Sequence, residues 1–248
     1  MLAIHGVFKN KKVLGLIPAR GASKRLPRKN LRQLNGKPLI YWSITEAQES
    51  AYIDSVVVST EDIEIKQHSY RQGVDCVIDR PPSLAQDESR SIDVVLHAVD
   101  VLAQQGQKYE YVMLLQPTSP LRTSKHIDNA LELMWAKKAT AVVSVCETEH
   151  PIGWMGYLAR DQLMDEFLDN STIGQSNAGH RVSYLINGAI YLLETSTLIK
   201  EKTHFPTPGA FAYIMKRDES IDVDTELDLY IAECLMTRYA QDFIDDSI

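Results

Sequence analysis

Short runs of aliphatic and β-branched residues alternate with amphipathic stretches along most of this chain, and that alternation leaves few folds open. Val13 to Ala19, Val56 to Ser59, Val74 to Ile78, Tyr111 to Leu115 and Ala141 to Cys146 read as strands. Between them lie helical patterns. After Ser89 the apolar residues Ile92, Val95, Leu96, Val99 and Leu102 share one helix face, since positions three and four apart stack at 3.6 residues per turn. A second helix over Glu61 to Gln72 stops at Gly73, a residue that takes the left-handed conformation of a helix end without steric penalty. Pro38 opens a third at LIYWSITEAQES, and Ile127, Leu131 and Met134 form the stripe of a fourth. Strand and helix in turn predict an α/β fold, a mostly parallel sheet with helices on both faces.

The alternation lapses after Cys146. Residues 147–184 carry His, Gly, Trp, Met and Asp without a sustained period, and a structureless stretch of about 35 residues is foreign to a compact domain. We read 147–184 as a small lobe inserted into a single domain spanning 1–248. The pattern resumes with NGAIYLLE, AYIM and SIDVD, and a helix from Thr225 to Tyr239 closes it. No run approaches the roughly 18 to 20 apolar residues of a bilayer crossing, and Met1 to Lys12 lacks a signal-peptide core, so a cytoplasmic protein without membrane contact is expected. Cys76, Cys146 and Cys234 lack the paired spacing of a zinc site, which predicts reduced, buried thiols.

In an open parallel sheet, ligands sit beyond the carboxyl ends of the strands, so the segments leaving each strand are where chemistry is to be sought. Between Arg20 and Lys37 stand seven basic residues and no acidic one, in a chain of net charge -7. So local a concentration predicts a small, multiply charged anion such as a triphosphate. Nucleic acid would ask for basic charge spread over a face. P-loop and GxGxxG spacings are absent, so the side chains of Arg20, Lys24 and Lys29, with backbone donors around Gly21, Ala22 and Ser23, would hold the phosphates.

Three later segments stand out. In DRPPSLAQDESRS, Arg80 leaves a strand, two prolines stiffen the turn, and Ser89 or Ser91 caps the next helix, whose first backbone donors would meet a base or ribose; a plain turn and cap would look the same. In LLQPTSPLRT, Gln116 is fixed between an apolar strand and Pro117, which suits an amide that reads a ligand. Arg122 either binds an anion or has the structural role of pairing with a helix carboxylate, the reading preferred here. In SIDVDTELDLY, Asp222 and Asp224 would share one face of a strand, about 6 to 7 Å apart, and converge on a hard cation such as the Mg2+ that accompanies a triphosphate. Thr225 with Asp228 resembles a capping box, with Asp224 or Thr225 as the cap, which would account for one acidic residue but not Asp222.

In this order, IPARGASKRLPRKN with LNGKPLI, VVVSTED, RPPSLAQDESRS, LLQPTSPLRT, NGAIY and SIDVDTELDL resemble the CMP-sialic acid synthetases, or acylneuraminate cytidylyltransferases. Synthetases for legionaminic and pseudaminic acid belong to the same wider family. The likeness runs from Val13 to Leu235, with its main gap after Cys146. It implies a Rossmann-like domain of nucleotide-diphospho-sugar transferase type, a homodimer, and a lobe reaching the partner subunit. It further implies that CTP reacts with a nine-carbon keto-sugar acid, the anomeric hydroxyl attacking the α-phosphorus as pyrophosphate departs.

Carried onto the matching positions, the resemblance puts Arg20, Lys24, Lys29 and Asn30 at the triphosphate and Arg80, Ser89 and Ser91 around the cytosine. Gln116, Asn187, Tyr191 and Phe205 line the sugar site, and Asp222 and Asp224 hold Mg2+. Lys29, Arg20 and Asp222 are the catalytic candidates. Nucleotidyl transfer asks mainly for positioning and charge cancellation, so no Ser or Cys nucleophile is needed. None of the seven histidines recommends itself as a base, and deprotonation of the attacking hydroxyl falls to Asp222 or solvent. The chain departs from the family where the sugar is chosen. Many members of the family it resembles carry an arginine pair before NGAIY and a basic residue after the His-Pro of the lobe; here GQSNAGHRVSYLINGAIY leaves Arg181 as the nearby cation, and EHPIGWMGYL supplies none. Trp154, Met155 and Tyr157 are dimer-core residues or sugar contacts, the former being preferred. A metal-dependent glycosyltransferase and a non-enzymatic nucleotide sensor are the alternatives. The late position of the aspartate pair speaks against the first, and the presence of Lys29, Asp222 and Asp224 together against the second.

Overall fold

The computed structural model describes residues 11–165, 167 and 182–245. Its centre is a seven-stranded sheet in the order β5-β4-β1-β6-β8-β7-β9. The strands are β1 (Val13–Pro18), β4 (Ser55–Thr60), β5 (Cys76–Asp79), β6 (Tyr111–Leu114), β7 (Ala141–Glu147), β8 (Tyr184–Glu194) and β9 (Ala210–Met215). β1 pairs parallel with β4 and β6, and β7 parallel with β9, but β8 runs antiparallel to both β6 and β7. The reversed strand makes the sheet mostly rather than wholly parallel.

Alternation along β1 shows how the sheet is covered. Val13 and Ile17 enter one core cluster with Ile40, Ile44, Ile127, Leu131 and Met134, from α1 (Leu39–Gln48) and α4 (Ser124–Lys137). Leu14 and Leu16 enter the opposite one with Ile92, Val95, Ala98 and Leu102 from α3 (Ser91–Gln104), and Leu198 from α5 (Thr195–Glu201). The strand period of two therefore sends successive side chains to two separate helical layers. α2 (Ile63–Arg71) is N-capped by the Asp62 carboxylate, which accepts from the Glu64 and Ile65 amides, and ends before Gly73 at φ +76.

A third, smaller cluster decides where the function-bearing loops go. Leu26 from the basic loop, Leu34 and Leu39 pack with Val223, Leu229 and Ala232, the last two on α6 (Glu226–Asp245). Leu34 lies in a two-stranded hairpin, β2 (Gln33–Leu34) and β3 (Lys37–Pro38), turned by Asn35 and Gly36, both at positive φ. Burial of Leu26 against Val223 thus ties the amino-terminal loop to the segment before the last helix.

Several expectations need correction. SIDVD joins no sheet; its extended backbone is held by Val223 N–H donating to the Thr118 carbonyl at 2.7 Å. Neither Ser89 nor Ser91 caps α3, whose N-cap is Arg90 without a side-chain cap bond. The three thiols are free, but only Cys146 is buried; Cys76 is half-buried and Cys234 exposed on the outer face of α6. Arg181 lies outside the described residues, as does much of the lobe.

Candidate active site

The basic loop leaves β1 at Ala19 and is shaped from beneath by two acids that follow β4. Gly21 N–H donates to Glu61 Oε1 at 2.7 Å, and a Cβ at Gly21 would come within 2.5 Å of Asp62 Oδ2, so only glycine allows this approach. Asp62 also receives Arg28, a residue held at φ 57, at 2.6 Å. Asn30 is buried, and its amide donates to the Arg20 carbonyl at 2.9 Å. Asn30 thereby fixes the loop's turn, and the Gly21 amide is engaged by Glu61.

The side chains of Arg20, Lys29 and Asn30 enter a cleft of about 340 Å³ that is also lined by Arg80, Ser89, Ser91, Gln116, Thr118, Asp222 and Asp224. Three loops meet there because β5, β1 and β6, with β4 between the first two, run parallel and end at the same edge of the sheet. Gly21, Ala22, Ser23, Lys24, Asn187, Tyr191 and Phe205 are not among its lining residues. Lys24 still reaches its edge through Asp87, which receives Arg20 at 2.8 Å and Lys24 at 2.6 Å.

The opposite wall is acidic. Asp224 receives Lys29 Nζ at 2.7 Å and Arg25 at 2.5 Å. The helix cap is made instead by Thr225 and Asp228: the Asp228 carboxylate accepts from the Asp224 and Thr225 amides and the Thr225 hydroxyl, while Asp228 N–H donates to Thr225 Oγ1. Neither Asp222 nor Asp224 is consumed by capping. Burial holds the Asp222 carboxyl above the usual carboxylate range, with the neighbouring Asp224 charge acting in the same direction and a Thr118 hydrogen bond and Lys29 against it. Among the described residues no group of three or more His, Cys, Asp or Glu converges as a ready-made metal cage.

The upper rim is rigid. Arg122 is fully buried and donates to the Gln116 and Ala189 carbonyls at 3.1 and 3.0 Å and to Ser43 Oγ at 2.7 Å. Glu46 acts on it only through space, and among the described residues Arg122 makes no direct carboxylate pair; it is the peg that fixes Gln116. The Gln116 side chain lies over Gly188, where φ is +76 and a Cβ would meet Oε1 at 2.8 Å. Arg80 is buried and donates to the Ser59 carbonyl at 2.6 Å, and burial pulls its pKa down to about 10, which leaves it protonated at neutral pH. Asn187 is turned inward. Its amide oxygen accepts from Ser144 Oγ and its nitrogen donates to Ser220 Oγ at 2.8 Å.

Tyr191 and Phe205 stand beside the cleft, joined to it by His204. The Tyr191 ring lies 5.0 Å from that of His204 and 6.1 Å from that of Phe205, and His204 Nε2 meets Ser91 Oγ at 2.9 Å. Sequence reasoning passed over His204, Asp87, Glu61 and Asp62. The STED that closes β4 carried a signal for the last two, since acids directly after a strand face whatever leaves the neighbouring strand.

An α/β sheet covered by helices on both faces, with a cleft beyond its strand ends where Arg20 and Lys29 stand opposite Asp222 and Asp224, has the layout that nucleotidyl transfer asks for. Comparison with known proteins fixes the kind. Residues 14–174 match the family model described as cytidylyltransferase. The chain is 33% identical over 233 residues to the CMP-N,N'-diacetyllegionaminic acid synthase of Legionella pneumophila, covering 91% of this chain and 96% of that protein. It is 32% identical over 224 residues to the pseudaminic acid cytidylyltransferase of Campylobacter jejuni, with 90% and 96% covered. A solved CMP:2-keto-3-deoxy-manno-octonic acid synthetase in complex with CTP shares the fold at a TM-score of 0.68 and 19% identity, over 92% of this chain and 99% of that one. This chain belongs to the cytidylyltransferase family of nucleotidyltransferase enzymes.

Proposed function

We propose that this chain transfers the cytidylyl group of CTP to the anomeric hydroxyl of a nonulosonic acid and releases pyrophosphate. The observation that carries this reading is the meeting of Arg20 and Lys29 with Asp222 and Asp224 around one cleft. In the transfer the hydroxyl oxygen bonds the α-phosphorus, the bond from that phosphorus to the bridging oxygen of the β-phosphate breaks, and the hydroxyl proton leaves. Arg20, Lys24 and Lys29 neutralise the triphosphate and the departing pyrophosphate. Each already holds a carboxylate in the free protein, at Asp87 or Asp224, so nucleotide binding exchanges one anion for another.

Asp222 and Asp224 supply hard oxygen donors that fit Mg2+, and the raised Asp222 pKa marks a buried carboxylate short of compensating charge. A magnesium ion held there would withdraw charge from the phosphate oxygens. Asp222, in the cleft lining, or solvent takes the hydroxyl proton. Tyr191, Phe205 and Gln116 would receive the sugar. A homodimer is supported by the uncovered apolar residues of the second half, among them Tyr157 at 84%, Leu185 at 60% and Ile214 at 59% exposure.

Pyrophosphate release from CTP, assayed with a panel of sialic, legionaminic and pseudaminic acids, tests the reading. Release that depends on one of these acids and yields the matching CMP-sugar is expected. Hydrolysis or onward transfer from a ready-made sugar nucleotide would point to a glycosyltransferase, and nucleotide binding without turnover to a sensor.

A further inference from the structure

Ser91 is exposed to the cleft, but its hydroxyl is not free to turn. Its oxygen lies 2.9 Å from Nε2 of His204, a ring only 8% exposed, while Nδ1 of the same ring is buried with no hydrogen-bond partner among the described residues. Burial holds the His204 pKa down at about 4, so the ring carries a single proton at neutral pH. Two arrangements are open. With the proton on Nδ1, an N–H donor would be buried without an acceptor and the Ser91 proton would be spent on Nε2. With the proton on Nε2, the orphan is an acceptor lone pair, and the Ser91 proton is left to point into the cleft. Buried donors without acceptors are the rarer and costlier case.

We infer that His204 is a positioning residue that donates from Nε2 to Ser91 Oγ and so makes the Ser91 hydroxyl a hydrogen-bond donor toward the nucleotide base. The inference rests on the cytidylyltransferase reading in placing the base beside Ser91. Its chemical consequence is discrimination between pyrimidines. Cytosine offers an acceptor at N3, which a donor hydroxyl satisfies, whereas uracil carries N3–H, which would face that donor proton to proton. His204 belongs to the loop after α5, and its ring packs on Tyr191 and on Phe205 at 6.2 Å, so the element that sets the polarity of the base site is anchored in the acceptor side.

The test compares Ser91→Ala, His204→Phe, His204→Gln and the Ser91→Ala/His204→Phe double variant. The readouts are kcat/KM for CTP and UTP, direct binding of each nucleotide, and KM for the acid. His204→Phe keeps the aromatic packing and deletes the donor; glutamine restores a donor near the Nε2 position. The preference for CTP over UTP should fall about tenfold in Ser91→Ala and in His204→Phe, as expected for one lost neutral hydrogen bond. It should fall no further in the double variant, and His204→Gln should regain most of it. Wild-type preference in His204→Phe, independent multiplication of the two effects, or a change confined to KM for the acid would overturn the inference. If Ser91→Ala bound CTP and UTP as the wild type does, the base would not face Ser91 and the inference would fall while cytidylyl transfer stood. Absence of turnover with any acid would sink the transfer reading, yet the binding ratios would still decide the role of His204.

Discussion

The two ends of the sheet are finished differently. Around β1, β4 and β6, every cation of the loop from Arg20 to Arg32 already has a carboxylate partner: Asp87, Asp224, Asp62 or Glu226. Around β7, β8 and β9, apolar side chains from Ile152 to Leu163 and at Tyr184, Leu185, Ile186 and Ile214 lie open to solvent. The first region is charge-satisfied within one chain, which on the proposed reading suits it to phosphates, since these are alike in all nucleotides. The second is left open to solvent within the single chain.

That contrast can be broken most severely at the acidic wall. Asp222→Asn should cut turnover about a thousandfold, as loss of a metal-holding or proton-accepting carboxylate does. Stability should not fall with it. Because the folded pKa of Asp222 is raised, the protein is favoured with Asp222 protonated, and ionisation at higher pH weighs against the fold. The Asn variant should therefore melt at the same or a higher temperature than the wild type at neutral pH, with the difference closing as the pH falls below the raised pKa; thermal melts across pH would show it. Lys29→Ala should lower kcat about a hundredfold while KM for the acid moves little, measured by steady-state kinetics.

The open region answers to a different probe. If the proposed dimer forms through this face, Ile214→Asp should shift it to monomer in sedimentation and leave CTP binding intact, whereas an unchanged oligomer would mean that this face is not the contact. The smallest effect is expected at the cleft mouth. Asp87→Asn frees Arg20 and Lys24 from a partly exposed ion pair and should lower KM for CTP by up to about fivefold, the scale of such pairs at a protein surface.

The sheet and its two helical layers were legible because apolar periodicity is local: the alternation in β1 and the stripe of α3 say which side chains go inward. The direction of β8 was not, since NGAIYLLE reads the same in either sense and only the length of the preceding lobe hints at a reversal. The basic loop announced itself by charge, and the Thr225–Asp228 cap by its spacing. SIDVD imitated a strand, yet Val223 is drawn into the small cluster with Leu26, which no local pattern discloses. His204 could not be found by residue type, because a buried neutral imidazole and a surface one are spelled alike; its meaning comes from Ser91, 113 positions away. Asn35-Gly36 was an unused signal for the β2–β3 hairpin.

The reversal of β8 brings its first residue opposite the last of β7, Tyr184 against Glu147, and Thr148 N–H bonds the Ser183 carbonyl at 2.9 Å. Whatever lies between leaves and rejoins the body through a single narrow doorway. Such a cassette can lengthen, shorten or be exchanged between homologues without disturbing the register of any neighbour. A chimera that grafts a homologue's 149–182 equivalent onto this frame is the natural way to ask whether a new acceptor preference travels with it.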